Sequence, residues 1–391
     1  MRNKKLRIFT YLGVLFMTVS VSFPAYINSS FLKTFVGERG VGFIYGVGAI
    51  FTILLIFFIH QILCRFGNLK AITLLSLISI ASIAGLLFIK DIPLILLFFV
   101  IYYALGFIIR YFLDIYLENI SEDENTGLIR GLYLTFYNTA WLISPFLSGL
   151  LVARGGYWLV YSLAGLALFP LIFITSFFLK ENPRTKTRKN GQNIWVTLKA
   201  LCREKKSKTK NLYNVLVVDF LLNFFYAVMV VYLPLYLHDH LGLSWQEIGL
   251  AFTVMLLPFV LFELPLGKIA DKWLGEREML IIGLLLTGGT TIMIPFLTLP
   301  NWPVWAFILF LNRTGAATIE VMKEVYLFKK ITGEDTHIIS LSRTSYPLSY
   351  LVGPIFASLI LLFFDFKYIF LGLGLVMLYG MKYAWRLSDT N

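Results

Sequence analysis

Long apolar runs separated by short polar breaks dominate this chain, and their lengths predict membrane-crossing helices. A helix needs about 20 mainly apolar residues to cross a hydrocarbon core of about 30 Å. On that basis spans are expected near 8–31, 41–61, 71–89, 93–117, 128–152 and 157–179, then near 212–237, 246–266, 279–299, 304–328, 338–364 and 368–386. Lipid offers no partner to exposed backbone groups, so only helices or closed barrels can cross it. The ten-residue alternation of a barrel strand is absent from the sequence, which leaves helices. The first span carries no small-residue cleavage site behind a short apolar core, and reads as a retained helix.

Composition agrees: 58% of the residues are hydrophobic and 14% charged, too few charges to cover a water-soluble body of 391 residues. The net charge of +12 would elsewhere suggest nucleic acid, but its distribution argues otherwise. Arg2, Lys4, Lys5 and Arg7 crowd the N-terminus, and residues 180–210 hold 11 Lys or Arg against Glu181 and Glu204. Basic residues collect on the cytoplasmic side, so both regions, and with twelve spans both termini, are expected inside the cell. Ile194, Trp195, Leu198 and Leu201 would share one face of a short helix on the inner leaflet. Cys64 and Cys202 fall in expected cytoplasmic segments, and no metal-ligand spacing is present. A Gly-Lys loop for nucleotide phosphates is also missing, so neither ATP nor any other cofactor is implied.

The two sets of six spans are copies. Gly131, Ala140, Ser144, Pro145, Ser148 and Gly149 of span five recur as Ser340, Ser349, Gly353, Pro354, Ala357 and Ser358 of span eleven, all displaced by 209 residues. Pro24 and Tyr26 match Pro234 and Tyr236 at 210, as Arg110, Asp114 and Tyr116 match Glu320, Glu324 and Tyr326. Small residues let helix backbones approach closely in lipid, and a mid-span Pro bends a helix. Residues 1–179 are therefore expected to form one six-helix bundle and 212–391 a second, with 180–211 as a basic cytoplasmic linker. Parallel six-span halves are one of the known transporter architectures.

The segment Gly267-Lys268-Ile269-Ala270-Asp271-Lys272-Trp273-Leu274-Gly275-Glu276-Arg277 resembles the loop signature of the major facilitator superfamily, Gly-x-x-x-Asp-Arg-x-x-Gly-Arg-Arg. Its first-half copy keeps Arg65 and Gly67 but has His60 and Cys64 where Gly and Asp are expected. The span-five pattern is similar to that family's antiporter motif, with Ala or Ser at most of the Gly positions. The resemblance covers nearly the whole chain. It implies an all-α membrane fold of twelve transmembrane helices in two pseudo-symmetric six-helix bundles. It also implies loops (Arg65, Gly267, Asp271, Lys272, Arg277) that clamp the cytoplasmic face, and a central path lined by spans one, four, seven and ten.

Charges inside spans are costly and mark functional candidates. Arg313 lies near the middle of span ten beside Asn312, as an anchor for an anionic or polar substrate or a partner for a carboxylate. Glu320 follows seven residues on, on the same helical face, and Asp219 lies about a third of the way into span seven with Asn223 one turn beyond. Asp219 and Glu320 are candidate proton carriers. At the inner end of span four Arg110, Asp114 and Glu118 form a same-face series mirrored by Glu324. A cytoplasmic gate of ion pairs is the expected role there, with Arg130 and Arg343 as partners. Tyr102, Trp158, Trp302, Trp305 and Trp385 are expected as interfacial anchors. Gly131, Ala140, Ser144, Pro145, Gly149, Gly353 and Pro354 are expected to serve helix packing.

The expected function is a monomeric, proton-coupled secondary transporter of a small molecule in the cytoplasmic (inner) membrane, not an enzyme and not a nucleic-acid binder. The alternatives are a drug or metabolite efflux antiporter, and a receptor or scaffold that keeps the fold without transporting.

Overall fold

The computed structural model describes residues 2–120, 126–180, 207–262, 265–266, 275–330 and 336–388, which contain helices and no strand. Residues 181–206 of the basic linker, with the expected inner-leaflet face of Ile194, Trp195, Leu198 and Leu201, lie outside the described residues, as do most of the Gly267–Arg277 loop and Glu263; residues 207–211 of the expected linker are helical. Two compact units divide the chain, Met1–Gly191 and Gln192–Asn391.

The first unit contains α1 (Arg2–Ala25), α2 (Asn28–Phe66), α3 (Asn68–Phe88), α4 (Ile92–Ile120), α5 (Thr126–Leu166) and α6 (Leu168–Phe173), the last running into a π-turn at Ile174–Phe178. The second contains α7 (Ser207–Leu235) with a π-turn at Tyr236–His240, α8 (Trp245–Leu261), α9 (Glu276–Met293), α10 (Trp302–Lys330), α11 (Thr336–Phe363) and α12 (Tyr368–Trp385). These helices do not map one-to-one onto spans. The stretch Gly131–Phe178 holds 48 apolar-rich residues, about 72 Å of helix at 1.5 Å per residue and too long for one crossing. It is broken at Gly156, whose φ of 65° and ψ of −166° are not helical and would strain any residue with a Cβ. Gly37 (φ 68°, ψ 172°) likewise divides α2, so the end of span one and all of span two lie within it. With both breaks counted, ten apolar stretches supply eleven spans, and Trp245–Leu261 supplies the eighth.

The Pro-x-Tyr repeat marks irregular backbone in both units. Pro24 precedes the turn at Tyr26–Ile27 that interrupts span one, and Pro234 precedes the π-turn beginning at Tyr236. Both irregular stretches begin two residues after the Pro, beyond the preceding turn that a Pro crowds. After span seven, Ser244 caps α8 by accepting from the Glu247 N–H at 3.3 Å. The Glu247 carboxylate accepts in return from the Ser244 N–H at 2.9 Å.

Neighbour relations repeat between the units. In the first, α1 packs on α4 and α5, and α4 on α2 and α3. In the second, α7 packs on α10 and α11, and α10 on α8 and α9. The small-residue motif sits at the corresponding contacts. The hydroxyls of Ser22 and Ser144 lie 2.5 Å apart between α1 and α5, with Ala140, Pro145 and Gly149 also buried. Between α7 and α11, a methyl group on Gly353 would lie 3.3 Å from the side chains of Ala227 and Val228, beside buried Pro354. Gly131 is exposed with open space around it, so the first member of the motif makes no close contact. Two expected interfacial anchors are core residues instead. Tyr102 donates to the Ser20 carbonyl at 2.6 Å and Trp305 to the Leu299 carbonyl at 2.9 Å, because an aromatic N–H or O–H satisfied by backbone can be buried. Trp158 and Trp385 remain exposed.

Candidate functional site

A polar ladder runs between α7 and α10. On α7, Asp219, Asn223 and Tyr226 share one face at intervals of four and three residues; on α10, Arg313, Glu320 and Lys323 do the same at seven and three. The helices run antiparallel, so residues early in α7 meet residues late in α10.

The first rung is ionic. The Lys323 ammonium is salt-bridged to the Asp219 carboxylate, with only 12% and 6% of the two side chains exposed. Asp219 also accepts from the Ser342 hydroxyl of α11 at 2.9 Å and from Asn223 Nδ2 at 3.2 Å. Asn223 further donates to the Asp219 main-chain carbonyl at 2.9 Å, so it orients this carboxylate. The carboxylate therefore ties three helices together.

Tyr226 makes the second rung, donating its hydroxyl to Glu320 Oε2 at 2.8 Å. The third is Arg313, only 2% exposed, whose guanidinium carbon lies 5.1 Å from the ring centres of both Phe225 and Tyr226. Its Nε and Nη1 find no hydrogen-bond partner among the described residues. Asn312, its neighbour, turns the other way. Its side-chain amide donates to the hydroxyls of Thr290 and Thr291 at 2.9 Å and to the Thr287 carbonyl at 3.2 Å, all on α9. The structure thus places Asn312 in helix packing, about 100° around α10 from Arg313.

In the first unit, Arg110 and Asp114 meet phenols of α5. Arg110 Nη1 donates to the Tyr137 hydroxyl, and the guanidinium also lies 3.8 Å from the centre of that ring. The Tyr133 hydroxyl donates to Asp114 Oδ1 at 2.5 Å. Ser342 stands at the position of Tyr133 in the 209-residue repeat, so both units place a hydroxyl of the fifth helix against a carboxylate of a neighbouring helix. Glu118 and Glu324 are exposed.

Of the expected cytoplasmic loops, Arg65 is exposed with its guanidinium 5.5 Å from the ring of adjacent Phe66, and Arg277 pairs with adjacent Glu278 at 2.7 Å. Glu276, the substituted position of the loop signature, is buried and salt-bridged to Lys329, joining the start of α9 to the end of α10. Gly267, Asp271, Lys272 and the side chains of Arg130 and Arg343 lie outside the described residues.

Lys323, Ser342 and the tyrosines 133, 137 and 226 are absent from the sequence-based site. Lys323 carries a signal: it sits three residues after Glu320, on the same helical stripe. The tyrosines carry none, because their partners come from another helix.

The sequence profile of the Major Facilitator Superfamily matches residues 10–247 and again residues 215–389. This chain belongs to the Major Facilitator Superfamily. As a member of that transporter family it has the twelve-helix, two-bundle fold. Among superfamily relatives it is 22% identical over 251 residues to the multidrug resistance protein MdtG of Salmonella heidelberg (strain SL476), covering 63% of this chain. It is 21% identical over the same share to MdtG of Salmonella arizonae. The match spans 60% of the length of these relatives. A crystal structure of a mutant of the nucleoside transporter NupG superposes with a TM-score of 0.76 over 97% of this chain and 100% of that one, at 11% identity.

Proposed function

We propose that this superfamily member is a secondary active transporter, moving a small molecule across the cytoplasmic membrane by alternating access in exchange or symport with protons. The observation that carries the proton coupling is the ion pair of Asp219 and Lys323 inside membrane-spanning helices, held also by Ser342. A charge buried in lipid is expensive, and a carboxylate that gains a proton loses its hold on an ammonium group. Protonation of Asp219 would release Lys323 of α10 and weaken the hydrogen bond from Ser342 of α11. Loss of the proton would restore the three-helix tie. Glu320, held by Tyr226, is the second candidate carrier on the same ladder. Arg110 with Tyr137, and Asp114 with Tyr133, serve as the corresponding latch of the first unit. Glu276 with Lys329 fastens the α9–α10 end expected at the cytoplasm, where the charge distribution is expected to put both termini.

The names of the MdtG relatives favour export of drugs as a second reading, which shares the same ladder. The test is purified protein in liposomes holding a trapped pH-sensitive dye, exposed to sugars, nucleosides, amino acids, peptides and drugs. Solute-dependent proton flux that vanishes in Asp219→Asn supports the proposal. Proton flux unchanged by that substitution, or no solute-dependent flux in any arm, refutes it.

A further inference from the structure

We infer that Arg313 is an anion-binding site, and that the transported substrate carries a carboxylate or phosphate group that this guanidinium holds. The inference deepens the proposed function and rests on it. A charge near the middle of a span is retained when something compensates it, ordinarily a carboxylate or a set of backbone carbonyls. Arg313 has neither among the described residues: Nε and Nη1 are buried without acceptors, and no described carboxylate pairs with it. What holds it is two ring faces, Phe225 and Tyr226, each with its centre 5.1 Å from the guanidinium carbon. Rings attract the cation but accept none of its in-plane N–H groups. They hold the guanidinium carbon at the same distance from both ring centres, so its position is set before any ligand arrives. A planar fork of N–H donors matches the paired oxygens of carboxylate or phosphate.

The neighbouring carboxylate is engaged elsewhere. Glu320 is seven residues on, about 10.5 Å along the helix axis, and accepts from the hydroxyl of Tyr226. Tyr226 therefore has its ring under Arg313 and its hydroxyl on Glu320, keeping the two charges apart instead of letting them neutralise each other. A site built to receive a cation or a neutral lipophilic drug would not keep in its path a cation that no described residue compensates. An anionic group entering the ladder would compensate Arg313 and leave Glu320 free for its proton.

The experiment is binding, followed by thermal unfolding of the purified full chain in a nonionic detergent, with four probes that share a phenyl body. Benzoate and phenyl phosphate are the anions, benzamide the neutral analogue and benzyltrimethylammonium the cation. The expected result is stabilisation of the wild type by at least one anion and by neither of the others. Arg313→Gln should weaken that anion's binding about tenfold to a hundredfold, the range of one or two charge-assisted hydrogen bonds, and Arg313→Lys should be intermediate. Without ligand, Arg313→Gln should unfold at the same or a higher temperature than wild type, because an uncompensated buried charge has been removed. A lower unfolding temperature would mean a structural arginine and overturn the inference. It is also overturned if neither anion stabilises the wild type, if the cation alone does, or if Arg313→Gln keeps the anion effect. The two readings fail separately: anion binding through Arg313 without solute-dependent proton flux refutes coupling only, whereas such flux with anionic solutes that is unchanged in Arg313→Gln refutes the anion site only.

Discussion

The Lys323 ammonium on α10 is salt-bridged to the Asp219 carboxylate on α7, within a chain that has little other charge inside its spans. Removing one member of such a pair strands the other. Asp219→Asn is therefore expected to destabilise the protein by about 3 kcal/mol or more, and Lys323→Met by a similar amount. The double variant Asp219→Asn with Lys323→Met should recover much of the loss, since no stranded charge remains. Unfolding in mixed micelles of increasing SDS fraction, read as a double-mutant cycle, measures the coupling. Additive losses would show that the pair contributes nothing as a pair.

Glu320 holds Tyr226, and the proposal gives it a proton to carry. Glu320→Gln is expected to abolish the response of transport to an imposed pH gradient while leaving solute-for-solute exchange in place. Tyr226→Phe keeps the ring beneath Arg313 and removes only the hydroxyl, so it should alter the pH dependence of transport with little change in apparent substrate affinity. Paired gradient-driven and exchange assays in liposomes separate these effects. Loss of exchange in Glu320→Gln would point to substrate binding in place of proton carriage.

The contact of Arg110 with Tyr137 combines a hydrogen bond with a ring stacked on the guanidinium at 3.8 Å. Tyr137→Phe retains the ring and should cost no more than about 1 kcal/mol of stability. Tyr137→Leu loses both and should cost about 1–2 kcal/mol more. Equal effects of the two substitutions, measured by the same unfolding assay, would show that the ring face is not what holds Arg110.

Glycines of α9 and α10 divide into contact and open positions. A methyl on Gly315 of α10 would lie 2.5 Å from Thr287 Oγ1 and 2.8 Å from the Gly283 carbonyl oxygen, whereas one on Gly289 of α9 meets nothing within 4 Å. Gly315→Ala is expected to cost about 1–3 kcal/mol by forcing α10 from α9. Gly289→Ala should be neutral or stabilising by up to about 1 kcal/mol, from helix propensity alone. The difference between the two unfolding midpoints is the measurement, and similar midpoints would mean the helices can part without cost.

Hydropathy places the spans because lipid imposes one secondary structure and a minimum length. It also places two of the breaks, since Gly37 and Gly156 fall in the gaps between expected spans, but not the turn after Pro24, which falls inside expected span one. The duplicated motif is legible because small residues do in lipid what they do here, at Ser144 against Ser22 and at Gly353 against Ala227. The ladder is half legible. Asp219, Arg313 and Glu320 stand out as charges in apolar surroundings, but which helix each one faces depends on packing. That is why Asn312 turns to the threonines of α9 while Arg313, one residue away, faces the rings of α7. Tyr133, Tyr137 and Tyr226 are hidden among 21 tyrosines, since their role comes entirely from an acid or base on another helix.

Gly283 and Gly315 bring α9 onto α10, and Gly288 and Gly374 bring α9 onto α12, where a methyl on Gly374 would lie 2.8 Å from the Gly288 carbonyl oxygen. Backbones meshed this closely cannot slide past each other without driving a Cα into a carbonyl. Mechanically, α9, α10 and α12 form a single plate. Any bending of the second unit is then left to α7, α8 and α11, whose joint with the plate is made of side chains, and the Asp219–Lys323 bridge sits on that joint like a removable pin in a hinge.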